Sequence, residues 1–168
     1  MKRLLLFSLG LVLFALPSRA QSSADASFGY SYFRLGGSGG LNQNGVSGSI
    51  AYNPIPFMGV VGDFGAYHAS PGGASVNTYT YLFGPRVNFK NPTKVTPFAQ
   101  FLVGGAHITV AGAGSASNFA YSVGGGVDLG VLPHLAIRPQ LDYVGIHSYS
   151  AGATANCTRV SVSAVIHF

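Results

Sequence analysis

Only 8% of the 168 residues are charged, against roughly 25% in an ordinary soluble domain. A water-exposed surface so poor in charge would associate with its neighbours, which excludes a typical soluble globular surface. Glutamate is absent altogether. The single cysteine, Cys157, cannot close an internal disulfide, and its polar surroundings mark it as an incidental thiol rather than a nucleophile. Beyond residue 20 no stretch reaches the roughly 18 consecutive apolar residues of a membrane-spanning helix. The basic residues stand singly, so there is no patch to neutralise nucleic-acid phosphates.

The first twenty residues differ from the rest. Lys2 and Arg3 precede an apolar run over residues 4–16, and Ser18 and Ala20 place small side chains at the minus-three and minus-one positions of a cleavage site. That is the pattern of a secretory signal peptide, and the run is too short for a spanning anchor. Cleavage after Ala20, following export through the Sec pathway, leaves one domain over residues 21–168. Loss of Lys2, Arg3 and Arg19 leaves six basic residues against four aspartates, a formal charge of +2. An exported chain that is apolar, poor in charge and rich in glycine, tyrosine and phenylalanine suits a closed barrel with its outer face in lipid. Only helices and closed barrels satisfy every backbone group there.

The period-two pattern supports this. Eight stretches alternate, over residues 26–35, 45–52, 58–68, 77–89, 95–109, 118–129, 135–146 and 158–168. In each, one phase is largely aliphatic or aromatic, as with Phe28, Tyr30 and Tyr32, or Val160, Val162, Ala164 and Ile166. The other phase is small or polar. Each is near the 9–11 residues of a tilted transmembrane strand. Connections near Pro54, Asn91 and Pro133 read as short turns, whereas those over 36–44, 70–75, 111–117 and 148–156 read as mostly longer outer loops. The expected fold is all-β, an eight-stranded antiparallel up-and-down transmembrane β-barrel.

The charges follow the same phase. Asp63, Arg86, Asp128, Arg138, Asp142 and Arg159 all fall on the non-lipid side of their strands, as do Gln100 and Gln140. Three acids and three bases sum to zero inside a lumen that an eight-stranded barrel fills with its own side chains. Poorly solvated ions there must pair. Adjacent strands offer Asp63 with Arg86, Asp128 with Arg138, and Asp142 with Arg159. A static polar plug is the expected consequence, with a small gated pore as the alternative.

Several segments together resemble the OmpA-type small outer-membrane β-barrel family in its stand-alone form. They are Gly62-Asp63-Phe64-Gly65, Gly84-Pro85-Arg86, Thr96-Pro97-Phe98, Gly124-Gly125-Gly126-Val127-Asp128 and Arg138-Pro139-Gln140-Leu141-Asp142-Tyr143, with a terminal alternation ending on Phe168. The resemblance implies a monomeric eight-stranded barrel in the outer membrane with a structural role in the envelope. It also implies that Phe168 is read by the barrel-assembly machinery during insertion. Larger relatives carry a peptidoglycan-binding domain after the barrel; this sequence stops at Phe168, so that tethering role is not transferred. The expected partners are outer-membrane lipid and the assembly machinery, with no nucleic acid and no cofactor.

Three histidines remain. His68, His107 and His147 lie near the outer ends of the third, fifth and seventh stretches, with Ser70, Ser148 and Ser150 nearby. A lipid-modifying enzyme could be built from such residues, but no acid lies beside them and there is no G-x-S-x-G elbow. Without tight His-x-His spacing a metal site is not expected either. The glycines at 36–40 lack the Gly-Lys-Ser/Thr of a phosphate loop, and those at 124–126 sit mid-strand where they permit close packing. The sequence therefore predicts no enzyme. The remaining alternative, an adhesin or receptor acting through its outer loops, would work with loops of small, nearly uncharged residues.

Overall fold

The computed structural model describes residues 23–36, 40–73, 75–89, 93–112, 114–148 and 153–168. The export segment 1–20, the middle of the glycine loop at 37–39, the turn residues Lys90, Asn91 and Pro92, and Tyr149 and Ser150 lie outside the described residues. Eight strands follow in order: β1 Ser23–Leu35, β2 Leu41–Ile55, β3 Met58–Ala69, β4 Val76–Asn88, β5 Val95–Val110, β6 Gly114–Leu132, β7 Leu135–Ser148 and β8 Ala153–His167. Each pairs antiparallel with its neighbours in sequence, and β1 pairs with β8 to close the barrel. A short 3-10 turn, Pro71–Gly73, lies between β3 and β4. We call the end bearing the N-terminal end of β1 and Phe168 the base, and the opposite end the rim.

The alternation sorts side chains as the lipid-facing reading requires. Phe28, Ile50, Val60, Phe83, Leu141 and Val162 stand exposed on the outer wall, each at 50% or more. Several outward positions are glycines, and aromatic rings cover them. A side chain at Gly62 would meet the Phe83 ring, one at Gly105 the Tyr81 ring, and one at Gly145 the Tyr121 ring. In each case ring and glycine are direct cross-strand partners, so the ring restores the apolar cover that the glycine lacks.

Strand ends depart from the sequence reading. The expected turn at Asn53-Pro54-Ile55-Pro56 is strand as far as Ile55, with a register irregularity between Tyr52 and Ile55. A bulge tolerates Pro54, which has no N–H for the ladder. Strands β2, β6 and β8 start earlier than their apolar alternation, at Leu41, Gly114 and Ala153. Polar Asn, Ser and Thr residues carry the ladder into the rim, because pairing needs only backbone groups. Three rim connections shrink accordingly, to residues 36–40, 111–113 and 149–152, while the fourth spans 70–75 as expected. The expected contrast between long outer loops and short turns is weak.

The lumen has two zones. Toward the rim, Phe33 stacks on Tyr67 with ring centroids 4.6 Å apart, and Leu82, Leu102, Val144, Ile146 and Cys157 pack around them. Toward the base, the filling is ionic.

Candidate functional site: the ionic lumen and the polar rim

All eight interior residues expected from the sequence fall in the lumen and join one network. It starts at Asp128, which accepts from Arg138 Nε at 2.5 Å and Nη2 at 2.7 Å. Arg138 Nη2 also donates to Asp25 Oδ1 at 3.1 Å, and Arg86 Nη1 donates to that same oxygen at 3.3 Å. Arg86 Nε and Nη2 both donate to Gln100 Oε1, at 3.2 and 3.0 Å. Gln100 Nε2 passes the chain to Asp142 Oδ1 at 3.3 Å, while Gln140 Nε2 donates to Asp142 Oδ2 at 2.8 Å. Arg159 then joins Asp142 at 2.9 Å to Asp63, donating to both Asp63 oxygens at 2.5 and 3.2 Å. Asn53 and Asn88 extend the network from Asp25 along the base. Every strand contributes at least one member.

The structure corrects the sequence reading twice. The pairs Asp128–Arg138 and Asp142–Arg159 form, but Asp63–Arg86 does not. The register sets Asp63 opposite Leu82, four residues along β4 from Arg86. At about 3.4 Å per residue that offset is beyond side-chain reach along the wall. Each partner instead crosses the narrow lumen, Arg159 to Asp63 and Arg86 to Asp25. The interior is also not neutral. Asp25 shares the inward phase of Ser27 and Ser31 but precedes the apolar alternation that begins at residue 26, so the pattern does not announce it. It makes four buried aspartates against three buried arginines. The fourth carboxylate is held by two guanidinium groups and by Asn53.

Local sequence makes room for this filling. Gly124 and Gly126 face inward on β6. A methyl group at Gly124 would collide with Asp142 Oδ1, and one at Gly126 would crowd the Phe98 ring at 3.0 Å. Phe98 in turn packs against both Arg86 and Arg138, whose guanidinium carbons lie 4.5 and 4.9 Å from its centroid. The ring attracts both cations.

The rim has its own polar pattern. The four aspartates are the only acidic side chains of the protein and all are buried, so none remains for the outer wall. The three expected histidines stand on alternate strands and do not converge. Each bonds across to a neighbouring strand: His68 Nδ1 to Asn77 Oδ1 at 2.7 Å, His107 Nδ1 to Ser117 Oγ at 2.8 Å, and His147 Nδ1 to Thr154 Oγ1 at 3.0 Å. His68 also contacts Ser70 Oγ through Nε2 at 3.1 Å. Among the described residues no group of three or more His, Cys, Asp or Glu side chains is placed to hold a metal ion. Phe168 is exposed at the base, its N–H bonded to the Ala24 carbonyl at 2.8 Å.

The architecture recurs in solved structures. Neisserial surface protein A superposes with a TM-score of 0.74 at 15% identity, over 86% of this chain and 97% of the other. The attachment invasion locus protein Ail of Yersinia pestis gives 0.63 at 18%, over 89% and 100%. The N-terminal β-barrel domain of OprF from Pseudomonas aeruginosa gives 0.61 at 17%, over 89% and 100%. The fold is that of the small outer-membrane β-barrels. No family model and no curated protein sequence matches the chain.

Proposed function

We propose that this protein is an integral outer-membrane barrel whose main role is structural, a closed and rigid cylinder that contributes to envelope integrity through its lipid contacts. The observation that carries the reading is the filled lumen. An ionic network drawing on all eight strands occupies the base half, and an apolar cluster around Phe33, Tyr67 and Leu102 lies above it. An ion crossing this lumen would have to break paired charges and then pass a layer packed with Phe33, Tyr67 and Leu102, where the polar side chains, among them Gln43, Thr78 and Ser122, are buried and uncharged.

The outer wall supports membrane residence, since its aliphatic and aromatic side chains form a belt free of carboxylates. In the usual orientation of such barrels the base faces the periplasm and the rim faces outward. Phe168 then ends a strand at the periplasmic edge, where the assembly machinery would read it. The short rim connections leave little surface for an adhesive loop.

The experiment is a pair. Unboiled protein from outer-membrane fractions should migrate differently from boiled protein on a gel, and purified barrel in planar bilayers should give no conductance steps. Discrete channel openings in the wild-type protein would replace the structural reading with the gated pore.

A further inference from the structure

At the rim, three side chains from β3, the residue after it and β4 form one chain of hydrogen bonds. Ser70 Oγ lies 3.1 Å from His68 Nε2, and His68 Nδ1 lies 2.7 Å from Asn77 Oδ1. Register produces the arrangement: His68 on β3 is the direct cross-strand partner of Asn77 on β4, and Ser70 follows two residues beyond His68. The amide oxygen of Asn77 can only accept, so the proton of a neutral His68 ring sits on Nδ1. Nε2 is thereby left as a base facing the Ser70 hydroxyl. A nucleophile, a base within hydrogen-bond reach and a third group orienting the base define a catalytic triad by geometry and role. An amide fills the third position because every carboxylate of this protein is consumed in the lumen.

A second feature points to the substrate. Along the outer wall of β1–β4, toward the base from these residues, runs an apolar groove of about 560 Å³. Its floor is small, formed by Ala26, Gly48 and Ala66, and its sides are large, among them Phe28, Phe64 and Tyr79. Ala66 and Tyr79 lie two residues below His68 and Asn77 on their strands, so the groove ends beneath the triad. Its volume falls within the roughly 300–1,000 Å³ of ligand pockets, and a wall facing hydrocarbon offers it acyl chains. Beyond Ser70, Pro71 has no N–H, so the next backbone amide along the chain is that of Gly72. Gly72 has φ of 59°, and open space surrounds the position of a side chain there.

We propose that Ser70, His68 and Asn77 form a serine hydrolase site for acyl esters of membrane lipids, with the acyl chain seated in the groove. Ser70 Oγ attacks the ester carbonyl carbon as its proton passes to His68 Nε2. The tetrahedral intermediate collapses, the bond from carbon to the lipid alcohol oxygen breaks, and His68 returns the proton to that oxygen. Water then attacks the acyl-serine, giving up a proton to His68, and Ser70 recovers its own as the fatty acid leaves. The net reaction is ester plus water to acid plus alcohol. This activity adds to the structural role and revises the sequence expectation of no enzyme.

The test uses the mature barrel in mixed micelles of detergent and phosphatidylcholine, with fatty-acid release as readout. Ser70→Ala should lower release by about a thousandfold or more, into the background. Asn77→Ala should lower kcat with little change in KM, and Asn77→Asp should restore it, which a merely structural residue would not do. Ala66→Trp, which fills the groove, should impair cleavage of a long-chain nitrophenyl ester while sparing the short-chain one. A heat-shift gel establishes that each variant is folded. Hexadecanesulfonyl fluoride should label the wild-type protein at Ser70, a readout that requires no variant to fold. Release that persists in folded Ser70→Ala, or absence of the label from Ser70, would overturn the proposal.

Discussion

Replacing Arg159 by methionine tests the cross-lumen network at its most buried point. The guanidinium is 1% exposed and holds both oxygens of Asp63 and one of Asp142. Methionine keeps much of the side-chain volume, so the perturbation is mainly loss of charge and of hydrogen bonds. Asp142 retains Gln100 and Gln140, whereas Asp63 is left as a buried carboxylate without its counter-ion. Breaking a buried pair from one side costs about 3–5 kcal/mol, chiefly because the remaining charge is stranded. The assay is equilibrium urea unfolding of the barrel in lipid vesicles, followed by far-ultraviolet circular dichroism and by the gel shift. If stranded charge is the cause, adding Asp63→Asn to Arg159→Met should recover about 1–2 kcal/mol, a coupling within the usual range for contacting residues. A wild-type midpoint for Arg159→Met would refute the reasoning, since it would mean that water already solvates the lumen at this level.

Other consequences are simpler. Arg86→Ala removes hydrogen bonds to Asp25 and Gln100 and one of the two cations over Phe98, and should destabilise by about 3 kcal/mol in the same titration. Gly124→Ala puts a methyl group against Asp142 Oδ1 and should cost about 1–3 kcal/mol as overpacking, read as a lower temperature for loss of the fast-migrating gel species. Phe83→Ala uncovers Gly62 and removes an edge contact to Phe64 at 5.6 Å, with an expected loss of about 1 kcal/mol by urea titration.

Much of the barrel is legible in the chain because strand alternation is local. A side chain two positions on lies on the same face whatever the rest of the protein does. Hence eight strands, their lipid-facing phase and all eight interior polar residues follow from the order of the residues alone. Polar strand ends are harder, since Asn42, Ser115 and Thr154 continue the ladder without an apolar phase to announce it.

Which charge meets which is not legible in the same way. Asp63 and Arg159 are 96 positions apart, on strands that do not touch, and they meet because closure leaves a lumen narrow enough for one arginine to cross. Asp25 joins the network for the same reason. His68 and Asn77 become partners only through the register of β3 on β4, and that register gives the serine between them an oriented base. The sequence by itself determined the strands and their two faces, which local sterics and burial dictate. The tertiary structure alone decided the pairings across the lumen and at the rim, because these depend on how far each strand slides against its neighbour before the sheet closes.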